Sequence, residues 1–288
     1  MLAEFDLTIP KTLPEALESL ANGAGGAPVP LAGGTNLLVD LRARHTTPPR
    51  LLGLGNIGEL RGIALKDGKV VTGGATTVSD ILRHPKMAEW APSLVASARV
   101  FGGQMVRNAA TLVGNVCYGS PAADLVPPLL SLDADLVLTS RNARRIVPLD
   151  DFFLGYKEDR RRPDELMTQI TWKPPAANSA NVFYKLGRRK GDAITVAGLA
   201  VSLTVERGKC TGARIVLGAV APIVKRAKAA EGMLIGAALS GAEIDAAARQ
   251  AADESGPIDD VRASAEYRHH AVHVLVRRLL TDCRDRLA

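Results

Sequence analysis

The chain has 288 residues, of which 47% are hydrophobic and only 4% are aromatic, and it carries a formal net charge of +6. This length gives ample core for about two domains, packed mainly by small and branched aliphatic side chains. The positive residues occur in short runs at 160–162 and 188–190 and singly near the C-terminus. Because they form no aromatic-interleaved basic stripe and no zinc-finger spacing, we expect solvated faces or protein interfaces rather than nucleic-acid binding.

Cysteine usage and hydropathy limit the class of protein further. Cys117, Cys210 and Cys283 lie far apart and form no Cys-x-x-Cys pair, which argues against an iron–sulfur cluster or a zinc site within this chain. The N-terminus has no basic region followed by a long apolar one, and no apolar run reaches the ~18 residues of a membrane span. We therefore expect a soluble protein of a reducing, cytoplasmic compartment.

The first hundred residues alternate between helical and strand patterns. A helix is predicted over 12–22, because Thr12 and Glu15 can form a capping box and Pro14 fits the first helical turn. Further short elements follow, as strands at 27–34 and 51–54, a hairpin that turns at 67–68, and helical patterns at 78–82 and 91–100.

The remaining sequence predicts more strands and a C-terminal helix. Segment 101–138 is too rich in glycine and polar residues for a plain helix, but too apolar for a linker. Segment 174–181 is rich in Pro, Asn, Ser and Ala and is the predicted domain boundary. The irregular alternation of strands and helices predicts an α+β fold with two main lobes. Strands are predicted at 133–140, 144–153, 165–173, 182–186, 197–206 and 213–220, and the apolar face of the last helix comprises Val272, Leu275, Val276, Leu279, Cys283 and Leu287.

Two glycine-containing polar loops are the strongest candidates for ligand binding. The first contains Gly33-Gly34-Thr35, which has neither the Rossmann nor the P-loop spacing and alone is typical of a tight turn. The second spans 111–124. If the two loops converge, they could clamp a long anionic ligand, with main-chain N–H groups of the first on a pyrophosphate and Thr111, Asn115 and Asp124 on sugar or ring atoms.

Other candidate chemistry is less well supported. His269 and His273 have the i, i+4 spacing of metal ligands, but no third ligand accompanies them, so a solvated helix face is favoured. Ser120 and Cys117 could be nucleophiles, yet neither lies in a Gly-x-Ser-x-Gly elbow or near a histidine in sequence.

Four segments in order resemble a known family. They read LAGGTNLL, QMVRNAATLVGN, GSPAADLVPPLLSLDA and YKLGRRKGDAITVAG. They are similar to the FAD-binding (medium) subunit of the molybdenum hydroxylase / xanthine dehydrogenase family, including the medium subunit of carbon monoxide dehydrogenase and the flavin subunit of 4-hydroxybenzoyl-CoA reductase. The chain lacks the cysteine-rich insertion of the latter, so the resemblance implies flavin as its cofactor without an additional cluster.

The resemblance implies a fold and a set of FAD contacts. The fold is α+β, with a vanillyl-alcohol-oxidase (PCMH-type) FAD-binding domain of two subdomains over 1–177. A smaller α+β C-terminal domain of the carbon monoxide dehydrogenase flavoprotein type would occupy 178–288. Val113 stands where the family usually has glycine, so either the phosphate lies nearer Gly114 or the valine side chain points outward. The implied cofactor-binding residues are Leu31, Ala32, Gly33, Gly34, Thr35, Asn36 and Leu37 for the pyrophosphate, Phe101 near the flavin, Thr111, Gly114 and Asn115 for the second phosphate side and ribityl chain, Asp124 for a sugar or ribityl hydroxyl, Met167 in the flavin cleft, and Lys185 near the isoalloxazine edge.

The same resemblance implies a function that needs no catalytic residue and no metal in this chain. A large subunit would hold the molybdopterin cofactor and a small subunit the [2Fe-2S] clusters, in a dimer of heterotrimers. FAD would receive electrons from the clusters and pass them to NAD, quinone, oxygen or another acceptor, because a flavin joins one-electron and two-electron chemistry. The alternatives are a stand-alone FAD-dependent oxidase or reductase of the same superfamily, or a non-enzymatic binding or scaffold module.

Overall fold

The computed structural model of the protein describes residues 4–22, 26–189 and 191–288. Lys190, the last residue of the second basic run, lies outside the described residues. The strands are β1 (Asp6–Thr8), β2 (Val29–Leu31), β3 (Arg50–Gly53), β4 (Ile63–Lys66), β5 (Lys69–Gly73), β6 (Asp135–Thr139), β7 (Arg144–Pro148), β8 (Phe153–Gly155), β9 (Glu158–Asp159), β10 (Leu166–Trp172), β11 (Ser179–Gly187), β12 (Thr195–Glu206), β13 (Lys209–Gly218) and β14 (Lys225–Arg226). The helices are α1 (Leu13–Ala21), α2 (Leu37–Arg42), α3 (Val78–Arg83), α4 (Met87–Trp90), α5 (Pro92–Arg99), α6 (Gln104–Ala109), α7 (Leu112–Cys117), α8 (Val126–Ser131), α9 (Lys228–Leu234), α10 (Gly241–Asp253) and α11 (Ala265–Leu287), with 3-10 turns at Gly58–Leu60 and Leu149–Asp151.

The N-terminal sheet has the strand order β1-β3-β2 and parallel pairing throughout. Helix α1 packs beside it through one apolar face that contributes to a separate small core. The predicted helix is confirmed, but its capping box is only half formed. The Thr12 hydroxyl accepts the Glu15 N–H, whereas the Glu15 carboxylate accepts from Lys11 N–H instead of from the N–H of Thr12.

The second sheet is antiparallel, with the order β4-β5-β10-β6-β7, and it shares a core with helices α3, α4, α5, α7 and α8. The predicted hairpin is confirmed: it turns through Asp67 and Gly68, which both have positive φ, as tight hairpin turns of this kind require. Part of the glycine-rich segment after residue 100 forms the six-residue helices α6 and α7, separated by an extended stretch at 110–111.

The C-terminal sheet has the order β11-β12-β13-β14 and is antiparallel. Helices α9, α10 and α11 share its core, and the predicted apolar face of α11 is buried there except for the partly buried Leu287. The opposite face of this sheet meets α5 and α8 of the preceding part. Residues 173–178 connect β10 to β11, and a domain division at 177/178 stays a prediction.

Polar contacts also fasten the C-terminal sheet to the rest of the chain. The Ser93 main-chain N–H donates to Asn181 Oδ1 (3.1 Å), in the buried junction between α5 and β11. Nearer the surface, Arg214 Nε donates to Asp133 Oδ1 (2.8 Å) and Lys228 Nζ lies 2.8 Å from an oxygen of Asp150. The mixed helix-and-sheet architecture agrees with the predicted fold class.

Candidate functional site

A cavity of about 1130 Å³ lies where the two N-terminal sheets and the C-terminal sheet meet. Its wall includes all fourteen residues that the sequence indicates as FAD contacts, although these are distributed from Leu31 to Lys185. The structure therefore brings both glycine loops, Phe101, Met167 and Lys185 to one site. Whether each of them contacts the cofactor stays a prediction.

The first loop leaves β2 and enters α2, and it presents main chain to the cavity. None of the main-chain N–H groups of residues 32–36 donates a hydrogen bond to another described residue. Gly34 has φ +70°, the conformation that turns successive N–H groups into an anion-binding concavity. These donors need an acceptor from solvent or from a ligand.

Position 33 requires glycine for a different reason, the close approach of another main-chain segment. The φ of Gly33 is ordinary, but a Cβ atom built on it would lie 1.9 Å from the carbonyl oxygen of Ala109. The two glycine loops thus touch backbone to backbone, and only a residue without a side chain permits this approach. Hydrogen bonds from Val78 N to Ala110 O (2.9 Å) and from Leu112 N to Thr76 O (3.0 Å) hold the second loop in place.

The polar residues of the second loop already have partners within the protein. Thr111 is the N-cap of α7, and its hydroxyl oxygen accepts the Gly114 N–H at 2.9 Å. Asn115 Oδ1 accepts the Leu125 N–H at 3.2 Å. The Thr111 O–H and the Asn115 amide N–H groups are therefore the donors that these side chains can offer a ligand. Val113 is 7% exposed and packs in the core while forming part of the cavity wall, so its side chain does not point outward.

At the other end of the cavity, residues of the C-terminal sheet meet the N-terminal part. Lys185 Nζ lies 2.6 Å from Asp124 Oδ2, and the Thr195 hydroxyl donates to Asp124 Oδ1. The side chains of Asp124 and Lys185 are 9% and 8% exposed, so this ion pair is shielded from water. Phe101 packs nearby as a partly buried side chain against the core.

Several charged residues of the cavity wall were not predicted from the sequence. Arg161 belongs to a basic run that the sequence assigned to a solvated face or an interface, yet it lines the cavity and is bonded to Asp159 and to the Cys117 carbonyl oxygen. Burial in turn raises the pKa of the Cys117 thiol, with the nearby Arg161 opposing that rise, which disfavours a reactive thiolate. In the sequence, only the spacing of the oppositely charged Asp159 and Arg161 could have indicated this arrangement. The other partner of Arg161, the Cys117 carbonyl oxygen, is distant in sequence.

Two acidic residues of the wall are held ionised by arginines. Hydrogen bonding to Arg145 lowers the pKa of Glu165, whose carboxylate also accepts the Arg162 N–H. Hydrogen bonding to Arg268 holds the pKa of Asp260 well below its usual range. Both carboxylates are therefore occupied by structural partners at neutral pH, which makes them poor candidates for a general base.

Two histidines of α11 have carboxylate partners on α10. His273 Nε2 lies 2.9 Å from Asp245 and His269 Nε2 lies 3.3 Å from Asp253. Within residues 4–22, 26–189 and 191–288, no group of three or more His, Cys, Asp or Glu side chains could hold a metal ion. Among those same residues, every helix is too short or too polar to span a bilayer.

Comparison with known families decides the class of the protein. Residues 3–172 match the family described as the FAD-binding domain in molybdopterin dehydrogenase, and residues 182–283 match the carbon monoxide dehydrogenase flavoprotein C-terminal domain. The chain belongs to this flavoprotein family. The expected PCMH-type fold, an FAD-binding domain followed by a C-terminal α+β domain, is thereby confirmed.

Individual members of the flavoprotein family resemble the chain along its whole length. The nicotinate dehydrogenase FAD-subunit of Eubacterium barkeri is 32% identical, over 99% of this chain and 98% of that protein. The carbon monoxide dehydrogenase medium chain of Hydrogenophaga pseudoflava is also 32% identical, over the same shares. The solved carbon monoxide dehydrogenase from that organism, which lacks the Mo-pyranopterin moiety of its molybdenum cofactor, superposes with a TM-score of 0.96 at 32% identity and full coverage of both chains.

A solved structure of lower sequence identity has the same fold. Quinoline 2-oxidoreductase from Pseudomonas putida 86 has a TM-score of 0.92 at 26% identity, covering 100% of this chain and 99% of that one. The chain is therefore a flavoprotein subunit of the molybdenum-containing dehydrogenase type, and its residues 3–172 form an FAD-binding domain.

Proposed function

We propose that this chain is the FAD-binding electron-transfer subunit of a heterotrimeric molybdenum hydroxylase, taking electrons from [2Fe-2S] clusters and passing them through FAD to an external acceptor. The observation that carries the proposal is that residues 32–36 line the cavity, in a chain of this family, and that their main-chain N–H groups have no acceptor among the residues that the structure describes. A pyrophosphate is the kind of anion that such a row binds.

The proposal assigns each part of FAD to residues that line the cavity. Residues 31–37 would hold the pyrophosphate by N–H donors, and Thr111, Gly114 and Asn115 would hold its other side and the ribityl chain. Phe101, Met167 and Lys185 would border the flavin, and Asp124 would take a sugar or ribityl hydroxyl. Bound FAD supplies the redox chemistry, since a flavin can accept electrons singly and release them in pairs.

The chain's own residues bind, orient and shield the cofactor rather than transform a substrate. Asp260 and Glu165 are each tied to an arginine, and the pKa of the Cys117 thiol is raised. This wall supplies anchoring charges rather than a free acid–base pair, which supports an electron-carrying role over that of a stand-alone oxidase or reductase.

The proposed partners are a large molybdenum subunit and a small [2Fe-2S] subunit, in a dimer of heterotrimers in the cytoplasm. We place the contact with the [2Fe-2S] subunit on the segment 102–120, at the edge of the cavity. There Met105 is 87% exposed and Val106, which also lines the cavity, is 38% exposed. Exposed apolar side chains at a site rim are typical of protein interfaces, and a contact here would leave a short gap for electrons.

Reconstitution of the complex tests the proposal. The chain is loaded with FAD, mixed with its iron–sulfur and molybdenum subunits and given the substrate of the complex, while flavin absorbance is followed. Bleaching is expected only in the assembled complex. Bleaching of the isolated chain by substrate would support an independent flavoenzyme, and a complex whose flavin stays oxidised would remove FAD from the electron path.

A further inference from the structure

A buried polar cluster joins the two halves of the chain at the cavity wall. It consists of Asp124, from the loop before α8, Lys185 on β11, and Thr195, the first residue of β12. One carboxylate oxygen of Asp124 lies 2.6 Å from Lys185 Nζ, and the other accepts the Thr195 hydroxyl. Both carboxylate oxygens thus contact the C-terminal sheet, although Asp124 itself belongs to the N-terminal part.

Local backbone features build this cluster. The β11–β12 ladder shifts register between Leu186 and Gly187, and such a bulge re-aims the side chains beside it, here at Thr195. Gly198, which pairs with Lys185, keeps the neighbouring space open, since a Cβ atom there would lie 3.1 Å from Thr195 Cγ2. The main chain of Asp124 is fixed as well, because its carbonyl oxygen accepts the Ser97 hydroxyl at 2.7 Å.

A donor count shows which member of the cluster faces a ligand. An ammonium has three N–H donors. Lys185 uses one on Asp124 and directs a second towards the Val100 carbonyl oxygen at 3.5 Å, so a further N–H remains for the cavity that it lines. The single proton of the Thr195 hydroxyl is already given to Asp124. The N–H donor left for a cavity ligand is therefore that of Lys185, and Asp124 and Thr195 hold the ammonium in place. The carboxylate oxygens of Asp124 keep lone pairs that can still accept a ligand hydroxyl.

We propose that Asp124 and Thr195 are positioning residues that fix the Lys185 ammonium at the cavity wall and, through it, raise the reduction potential of the bound flavin. This rests on the proposed function, in which the cavity holds FAD. A reduced flavin carries more negative charge than an oxidised one, so a fixed cation nearby favours the reduced form, and that effect is strong where water is excluded. If Asp124 instead acted only by contacting the cofactor itself, its effect on the flavin would not depend on Lys185.

A double-mutant cycle separates these two roles. The variants are Asp124→Asn, Lys185→Met and their combination, each titrated with FAD by absorbance and then measured for the flavin midpoint potential against redox dyes. Lys185→Met should shift the preference for reduced over oxidised flavin by tenfold or more, which is about 30 mV downwards for a two-electron couple. Asp124→Asn should also lower the potential in the unmodified background, but not in the Lys185→Met background.

Other results of the cycle overturn the proposal. If Lys185 kept its position without Asp124, removal of the negative carboxylate would raise the flavin midpoint potential. A rise with Asp124→Asn therefore contradicts the positioning role. So does an equal effect of Asp124→Asn in both backgrounds, or an unchanged potential in Lys185→Met. If the unmodified chain did not bind FAD, both the proposed function and the positioning role would be wrong. If it bound FAD normally but the effects of the two single substitutions on the midpoint potential simply added in the double variant, only the positioning role would be wrong.

Two further sets of variants guard against trivial outcomes. Thr195→Val keeps both charges and should lower the midpoint potential less than Asp124→Asn does. Thr195→Ser retains the hydroxyl and should have the midpoint potential of the unmodified chain. If Thr195→Val had no effect, the hydroxyl would have no positioning role. Asp133→Asn removes an ion pair with Arg214 that also joins the two halves, but it lies outside the cavity wall. The flavin midpoint potential of Asp133→Asn should match that of the unmodified chain. If it fell as far as that of Asp124→Asn, loosened packing between the two halves of the chain would explain both results.

Discussion

The close approach of Gly33 to Ala109 gives a quantitative prediction for Gly33→Ala. The added methyl group would meet the Ala109 carbonyl oxygen at 1.9 Å, and real contacts of this kind do not fall below 3.0 Å. The loops would have to separate by the difference. Because N–H···O hydrogen bonds extend over only 2.7–3.2 Å, a displacement of about 1 Å would break those between residues 32–36 and a pyrophosphate.

The expected loss of affinity follows from those hydrogen bonds. Two charge-assisted bonds at about 1.5–3 kcal/mol each amount to about 3–6 kcal/mol. At 1.4 kcal/mol per factor of ten, the dissociation constant for FAD should rise roughly 10²- to 10⁴-fold. The overpacked contact should also lower the free energy of unfolding of the apoprotein by about 1–3 kcal/mol.

Fluorescence titration with FAD and thermal unfolding of the apoprotein measure the two effects separately. Gly55→Ala is the matched control, because a Cβ atom there meets nothing within 4 Å, and it should change neither quantity appreciably. If Gly33→Ala folded and bound FAD within threefold of the unmodified chain, the contact between the two glycine loops would not shape the cofactor site.

Three further predictions concern cofactor attachment, pH and assembly. FAD should be held without a covalent bond, so acid precipitation should release the whole dinucleotide for mass spectrometry; flavin left in the pellet would contradict this. The pKa of Glu165 is lowered by Arg145, so this pair stabilises the protein above the unfolded pKa of glutamate, near 4.3, and the stabilisation is lost as pH falls through the lower folded value. Arg145→Gln should therefore lower the free energy of unfolding by about 3 kcal/mol at pH 7 and by much less in acid. Urea unfolding measures this change, with Arg144→Gln as the control variant. An equal loss at both pH values would exclude the ion pair as its cause. Met105→Asp should leave the FAD spectrum unchanged but weaken assembly with the [2Fe-2S] subunit in gel filtration, whereas Ile146→Asp, on the exposed face of edge strand β7, should not; equal assembly by both variants would place the interface elsewhere.

Local patterns predicted the local elements well. The helix α1, the hairpin at Asp67-Gly68 and the three long strands β11, β12 and β13 each carry their signal within a few consecutive residues, as caps, turn glycines or apolar runs. Strand β1 was not predicted, since its three residues are exposed and their pairing with β3 involves residues more than forty positions away.

The candidate site was predicted in part, and its omissions have one physical cause. The glycine loops could be found because bare backbone and short polar side chains are visible in sequence. The role of Arg161 and the pairing of Asp124 with Lys185 could not, because each depends on a partner that only the folded chain brings near. The reason for Gly33 was likewise hidden: the sequence suggested close approach to a ligand, and the structure adds close approach to Ala109.

The reliance of the first loop on main-chain donors has a consequence for mutational tolerance. An N–H group is present whatever the side chain, so exchanges at Ala32 or Thr35 for residues of similar size alter the lining of the cavity without deleting a donor. Gly33 and Gly34 lack this freedom, the first because of Ala109 and the second because of its φ of +70°. A saturation library over residues 31–37 should therefore show two nearly invariant positions within a permissive neighbourhood.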